Sequence, residues 1–199
     1  MERDETILIE LIRKTYRLII TGIIAFFLLT STSPGAAQTD SGVIILVVPE
    51  EAEVAVGGTV DVAVAVEDIT DLYGIDILLE FNPQAVAVVD RDPVLNGVQI
   101  ELGTFLEPGF VILNLVNNEI GRLRLAMTQL APASAKSGSG NLIVVRLEGL
   151  MDGQTSDITV LEAKLASPSG DLIEVNEIEN GRVDVVQTVT DPTNTPIPA

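Results

Sequence analysis

The feature that most constrains the fold is a strict two-residue alternation. In residues 59–67, Val60, Val62, Val64 and Val66 alternate with Asp61, Ala63, Ala65 and Glu67. Successive side chains of an extended strand point to opposite faces, so this spacing gathers the valines on one side. A helix would spread the same valines around its circumference. The pattern returns over residues 72–81, after a loop at 68–71: Ile75, Ile77, Leu79 and Phe81 share one face, and Gly74, Asp76, Leu78 and Glu80 share the other. One face of each strand is read as core.

Further strands are expected at 43–48, 85–89, 110–116, 122–128, 141–148, 157–165 and 181–186, and nothing between 43 and 186 shows a convincing helical period. Turn chemistry separates them at Gly57-Gly58, Asn82-Pro83, Pro108-Gly109, Asn117-Asn118, Gly138-Ser139-Gly140, Asp152-Gly153, Ser169-Gly170-Asp171 and Asn180-Gly181. About nine short strands punctuated this often predict an all-β, antiparallel sandwich of two sheets.

The two ends read differently. Arg13, Lys14 and Arg17 precede the apolar run 18–29, and a polar stretch then ends in Gly35, Ala36 and Ala37. A basic start, a short apolar run and a small-residue site are the parts of a secretory signal peptide. The apolar run falls well short of the roughly 20 residues a spanning helix needs. Residues 1–37 are therefore expected to be removed, leaving Gln38 first, a domain over 38–187 and a secreted, extracellular or cell-surface-associated product with no membrane insertion after cleavage. Residues 188–199 are Thr-rich and carry Pro192, Pro196 and Pro198, a linker or tail composition that favours extended polyproline II.

Charge and missing residue types exclude several functions. The leader holds four acids and four bases, so of 29 acids and 11 bases the remainder keeps 25 and 7, and the net charge stays at −18. That balance argues against nucleic acid, whose phosphates demand Lys and Arg. The chain has no His and no Cys, which removes Ser-His-Asp and Cys-His catalysis and the usual zinc sites. Paired carboxylates are unavoidable among so many acids, and the regular strand pattern implies no cleft to raise one pKa, so no catalytic residue is assigned. Glu67, Asp68, Asp71, Asp90 and Asp92 lie in or beside loops and are read as turn formers in preference to calcium ligands. No metal and no cofactor is assigned.

The order of these segments resembles the cohesin family, the sandwich modules of cellulosome scaffolds and related cell-surface proteins that bind dockerin modules. The resemblance is carried by Asp71-Leu72-Tyr73-Gly74-Ile75-Asp76 running into Leu79-Glu80-Phe81-Asn82-Pro83, then Val86 and Val89. Gly103-Thr104-Phe105-Leu106 is similar to the family's mid-domain segment, and Ser137-Gly138-Ser139-Gly140 before Leu142, Val145 and Leu147 to its Gly-rich turn and next strand. Leu165, Gly170 and Gly181-Arg182-Val183-Asp184-Val185 fit its closing pattern. The resemblance implies a jelly-roll sandwich and a non-catalytic module whose partner is a dockerin on another chain, borne for example by a polysaccharide-degrading enzyme.

Cohesins place an Asn and an Asp two residues apart on the dockerin-facing strand, and matching from the Asn82-Pro83 turn puts Gly74 and Asp76 there, so the Asp is kept and the Asn lost. Leu78, an apolar residue between Asp76 and Glu80 on the outward face, adds to this candidate surface of Gly74, Asp76, Leu78 and Glu80. Arg122, Arg124, Arg146 and Glu148 also fall on outward positions, and some are expected to join it. A carbohydrate-binding module or a structural cell-surface adhesion domain are the alternatives. Sugar stacking needs exposed aromatic faces, and beyond residue 37 there are only Tyr73, Phe81, Phe105 and Phe110, with Phe81 assigned to the core.

Overall fold

The computed structural model describes residues 42–187. The leader expected at 1–37 and the Pro/Thr-rich stretch 188–199 lie outside the described residues. The strands in chain order are β1 (Ile44–Val48), β2 (Glu51–Ala55), β3 (Thr59–Leu72), β4 (Gly74–Glu80), β5 (Val86–Val88), β6 (Glu101–Leu102), β7 (Phe110–Asn117), β8 (Arg122–Thr128), β9 (Lys136–Gly149), β10 (Thr155–Ala166), β11 (Leu172–Ile173), β12 (Glu177–Glu179) and β13 (Gly181–Val186). They form two sheets, one ordered β12-β1-β3-β9-β5 with β6 on β9, the other ordered β2-β13-β10-β4-β8-β7 with β11 on β10. This is the expected jelly-roll sandwich.

All nine expected strands are present, and four short ones join them. β2, β6, β11 and β12 run only two to five residues, too short for a period to show in sequence. β1 stops before Pro49, which has no N–H for a ladder, and the chain crosses to the opposite sheet as β2. Pairing is antiparallel except where β1 meets β12 and β2 meets β13, both parallel.

Two segments expected as loop and turn are strand. Residues 68–71 belong to β3 and Gly138-Ser139-Gly140 to β9, and the β3–β9 register slips between Val66, Ile69 and Leu72. Asp68 and Asp71 adopt left-handed backbone, φ 55° and 57°, which Asp tolerates better than most residues. Their amides donate to the side chains opposite, Asp68 N to Ser139 Oγ at 3.2 Å and Asp71 N to Ser137 Oγ at 3.0 Å. The Gly-Ser run that looks like a turn thus supplies acceptors for bulged amides.

The core lies between the sheets. Val62, Val64, Val66, Ile75, Ile77, Leu79, Leu125, Leu142, Leu147, Leu165 and Val183 are all buried there, each contributing roughly 1.5–3 kcal/mol of transfer free energy. The alternation read from β3 and β4 therefore has the stated sense. It also fixes which side chains of β4 look outward.

Candidate partner-binding face

The outer face of β10, β4, β8 and β7 carries the candidate residues. Ile75, Ile77 and Leu79 point into the core, so Gly74, Asp76, Leu78 and Glu80 must point out. Their neighbours follow from the register. Ala166, Gly74 and Thr128 form one row across β10, β4 and β8, and Lys164, Asp76 and Ala126 the next. Glu162, Leu78 and Arg124 form the third row, and Thr159, Glu80 and Arg122 the fourth.

Arg122 and Arg124 join the face as expected. Arg146 and Glu148 do not, because they lie on β9 in the opposite sheet, where Arg146 Nε and Nη2 donate to Asp61 at 2.7 and 2.6 Å.

The charged groups of the face are paired with one another. Arg124 Nε donates to Asp76 Oδ1 at 2.8 Å and Nη2 to Oδ2 at 2.6 Å, a bidentate contact. Arg122 Nη2 donates to Glu80 at 3.0 Å, and Lys164 pairs with Glu162, which also lies 4.0 Å from Arg124. The hydrogen bond from Arg124 holds the Asp76 carboxyl below the usual carboxylate range against the opposing effect of burial, with the charges of Arg124 and Lys164 adding to it. Asp76, Glu80 and Glu162 are thereby matched by Arg122, Arg124 and Lys164.

Two candidate residues sit differently from the sequence reading. Leu78 is half-buried in the row between Arg124 and Glu162 in place of standing clear of the sheet. Gly74 is buried on the floor of a trough. This trough, of about 490 Å³, has Gly74, Ala126 and Ala166 beneath it, Ile112 and Leu113 on one side, and Pro168 and Leu172 on the other.

The β7 contribution was hidden in sequence. Phe110, Val111, Ile112, Leu113 and Leu115 show no alternation, and a register shift between Val111 and Leu113 changes which side chains look outward. Phe110, Ile112, Leu115 and Leu172 are large apolar side chains left exposed.

Among the described residues no group of three or more acids is placed to hold a metal ion. Asp90 Oδ1 accepts from the amides of Asp92 and Gln99, and Asp92 Oδ1 from that of Val94, the turn-forming role expected of them. Phe81 is buried, and Phe105 packs near Gly140.

The model of the cohesin domain family matches residues 44–185. The chain belongs to the cohesin family. Solved cohesins share its sandwich. A non-cellulosomal cohesin from Archaeoglobus fulgidus is similar with a TM-score of 0.58 at 16% identity, over 74% of this chain and 93% of that one. A type I cohesin–dockerin complex from Clostridium thermocellum is similar at 0.60 and 14%, over 75% and 96%. A type II cohesin from the cellulosome of Acetivibrio cellulolyticus is similar at 0.54 and 20%, over 72% and 95%. No curated protein matches the chain. At these identities the structures establish the fold of this cohesin domain. Cohesins are non-catalytic binding modules, and members of the family bind dockerins in solved complexes.

Proposed function

We propose that this cohesin domain is a non-catalytic extracellular module that docks dockerin-bearing proteins, such as polysaccharide-degrading enzymes, through the outer face of β10, β4, β8 and β7. The observation that carries this is the composition of that face. The charges of Asp76, Glu80 and Glu162 are satisfied within the sheet, and apolar side chains, Ile112, Leu115 and Leu172 among them, are exposed beside them. Docking there removes apolar area from water while leaving each of these charges a partner within the sheet. Asp76, already held by Arg124, keeps acceptor capacity for partner hydroxyl or amide groups.

Secretion follows from the leader, with Gln38 as the first mature residue; intact-mass measurement on secreted protein checks it, and a mass retaining residues 1–37 contradicts it. Docking is tested by titrating the secreted protein calorimetrically with dockerin modules encoded in the same genome. Saturable one-to-one binding by at least one supports the function, and no binding by any of them contradicts it.

A further inference from the structure

Resting on that docking reading, we propose that the Gly74 trough selects the partner: it receives a bulky aliphatic side chain from a single helix whose far end is cationic. The trough is an open place in the sheet face that the fold does not itself require. A Cβ built on Gly74 would lie 3.4 Å from Met127 O and 3.5 and 3.6 Å from the Thr128 side chain, ordinary contact distances, and Gly74 has no left-handed backbone. Its lack of a side chain therefore deepens the floor without relieving a clash.

The walls set the size of the occupant. Ile112 and Leu113 on β7 face Pro168 and Leu172 beyond β10, with β8, β4 and β10 between them. Four inter-strand steps from β7 to β11 span roughly 19 Å. One helix of about 10–12 Å diameter fits within that width, and two side by side do not.

Charge sets its direction. Near the trough Asp76 and Glu162 are balanced by Arg124 and Lys164. Toward the Glu80 end of β4, the same sheet face turns acidic. Asp157 pairs in register with Arg182, Thr155 with Asp184, and these rows continue to Glu51 and Glu53 on β2. Five acids (Glu51, Glu53, Glu80, Asp157 and Asp184) meet only Arg122 and Arg182 there. From Gly74 to the row of Asp157, two residues past Glu80, is roughly 26 Å along the strands, the length of about 17 helical residues. An apolar tip over Gly74 with Lys or Arg about that far along the helix matches both ends.

The test uses the secreted protein and the tightest dockerin of the genomic panel, with Gly74→Leu and Ala166→Leu as two independent ways to fill the trough and Asp157→Lys at the acidic end. Each filled variant is expected to lose about 10-fold to 100-fold in affinity, the loss of one buried aliphatic side chain, with its melting temperature kept. Exchanging exposed aliphatic residues of the dockerin helix for Asp one at a time should find one that costs as much against the parent protein but little against Gly74→Leu. Asp157→Lys is expected to lose about 3-fold to 10-fold at low salt, the difference closing at 0.5 M salt. Unchanged affinity in folded Gly74→Leu and Ala166→Leu overturns the trough while leaving docking intact, as does a dimer in sedimentation whose contact these variants abolish. Tighter binding by Asp157→Lys overturns the orientation. A panel in which no dockerin binds the parent protein overturns the docking reading and this proposal with it.

Discussion

Ile77 and Leu78 are chain neighbours on β4 with opposite destinations, and truncating each in turn separates stability from binding. Ile77 is fully buried between the sheets, at 0% exposure. Ile77→Ala deletes three carbons, worth about 0.8 kcal/mol each in transfer, and leaves a cavity, so the cost is about 3 kcal/mol within a usual range of 2–5. For a domain of this size that lowers the melting temperature by roughly 6–12 °C. Leu78 looks outward and is half-buried, so Leu78→Ala should cost about 1 kcal/mol or less of stability while weakening dockerin affinity about 10-fold. Thermal melts and calorimetric titration of both variants read the two effects separately. Equal destabilisation by the two would refute the assignment of inner and outer faces on β4. A Leu78→Ala protein that binds as tightly as the parent would take Leu78 off the docking surface.

Asp76→Ala is expected to weaken dockerin binding by about 10-fold to 150-fold, the loss of a charged acceptor inside a desolvated interface, with a small change in melting temperature; unchanged affinity in calorimetry removes it from the site. Stability should fall in acid. Asp61, Asp76 and Asp184 are held below the ordinary value of 3.8, chiefly by hydrogen bonds from Arg146, Arg124 and Thr155 respectively, so their stabilisation is complete above that value and is lost as pH drops through the lowered ones. Urea unfolding midpoints should show no loss from pH 8 to pH 5 and a decline below about pH 4, and a loss between pH 8 and pH 5 would contradict this. The protein is expected to hydrolyse no polysaccharide and to bind insoluble cellulose or xylan weakly in pull-downs; strong retention that disappears in Phe105→Ala or Phe110→Ala would support a carbohydrate-binding module.

Much of the fold was legible because strand parity is a local property. Val62, Val64 and Val66, and then Ile75, Ile77 and Leu79, declare their face without any tertiary information, and the same parity puts Asp76 and Glu80 outside. What pairs with them is not local. That Asp76 meets Arg124 and Lys164, while Arg146 meets Asp61 on the opposite sheet, depends on strand order and register. The trough was illegible for the same reason: Gly74 was marked in sequence, but Ala126 and Ala166, which complete the floor with it, lie on two other strands and are unremarkable on their own. β7 lacks alternation, so nothing marked Ile112 and Leu115 as surface. The bulges at Asp68 and Asp71 show the converse error: Gly and Ser signal a turn in sequence, yet here their flexibility and hydroxyls accommodate extra residues within a long strand pair.

The most direct test of the central claim is methyl NMR of the secreted protein titrated with a binding dockerin. Leu78, Leu113, Leu115 and Ala126, on the outer face of β4, β7 and β8, should shift or broaden on saturation, while Leu46 and Val144, on the opposite sheet, should stay in place. Shifts confined to the sheet of β1, β3 and β9, with the β4 and β8 methyls unmoved, would contradict docking on this face.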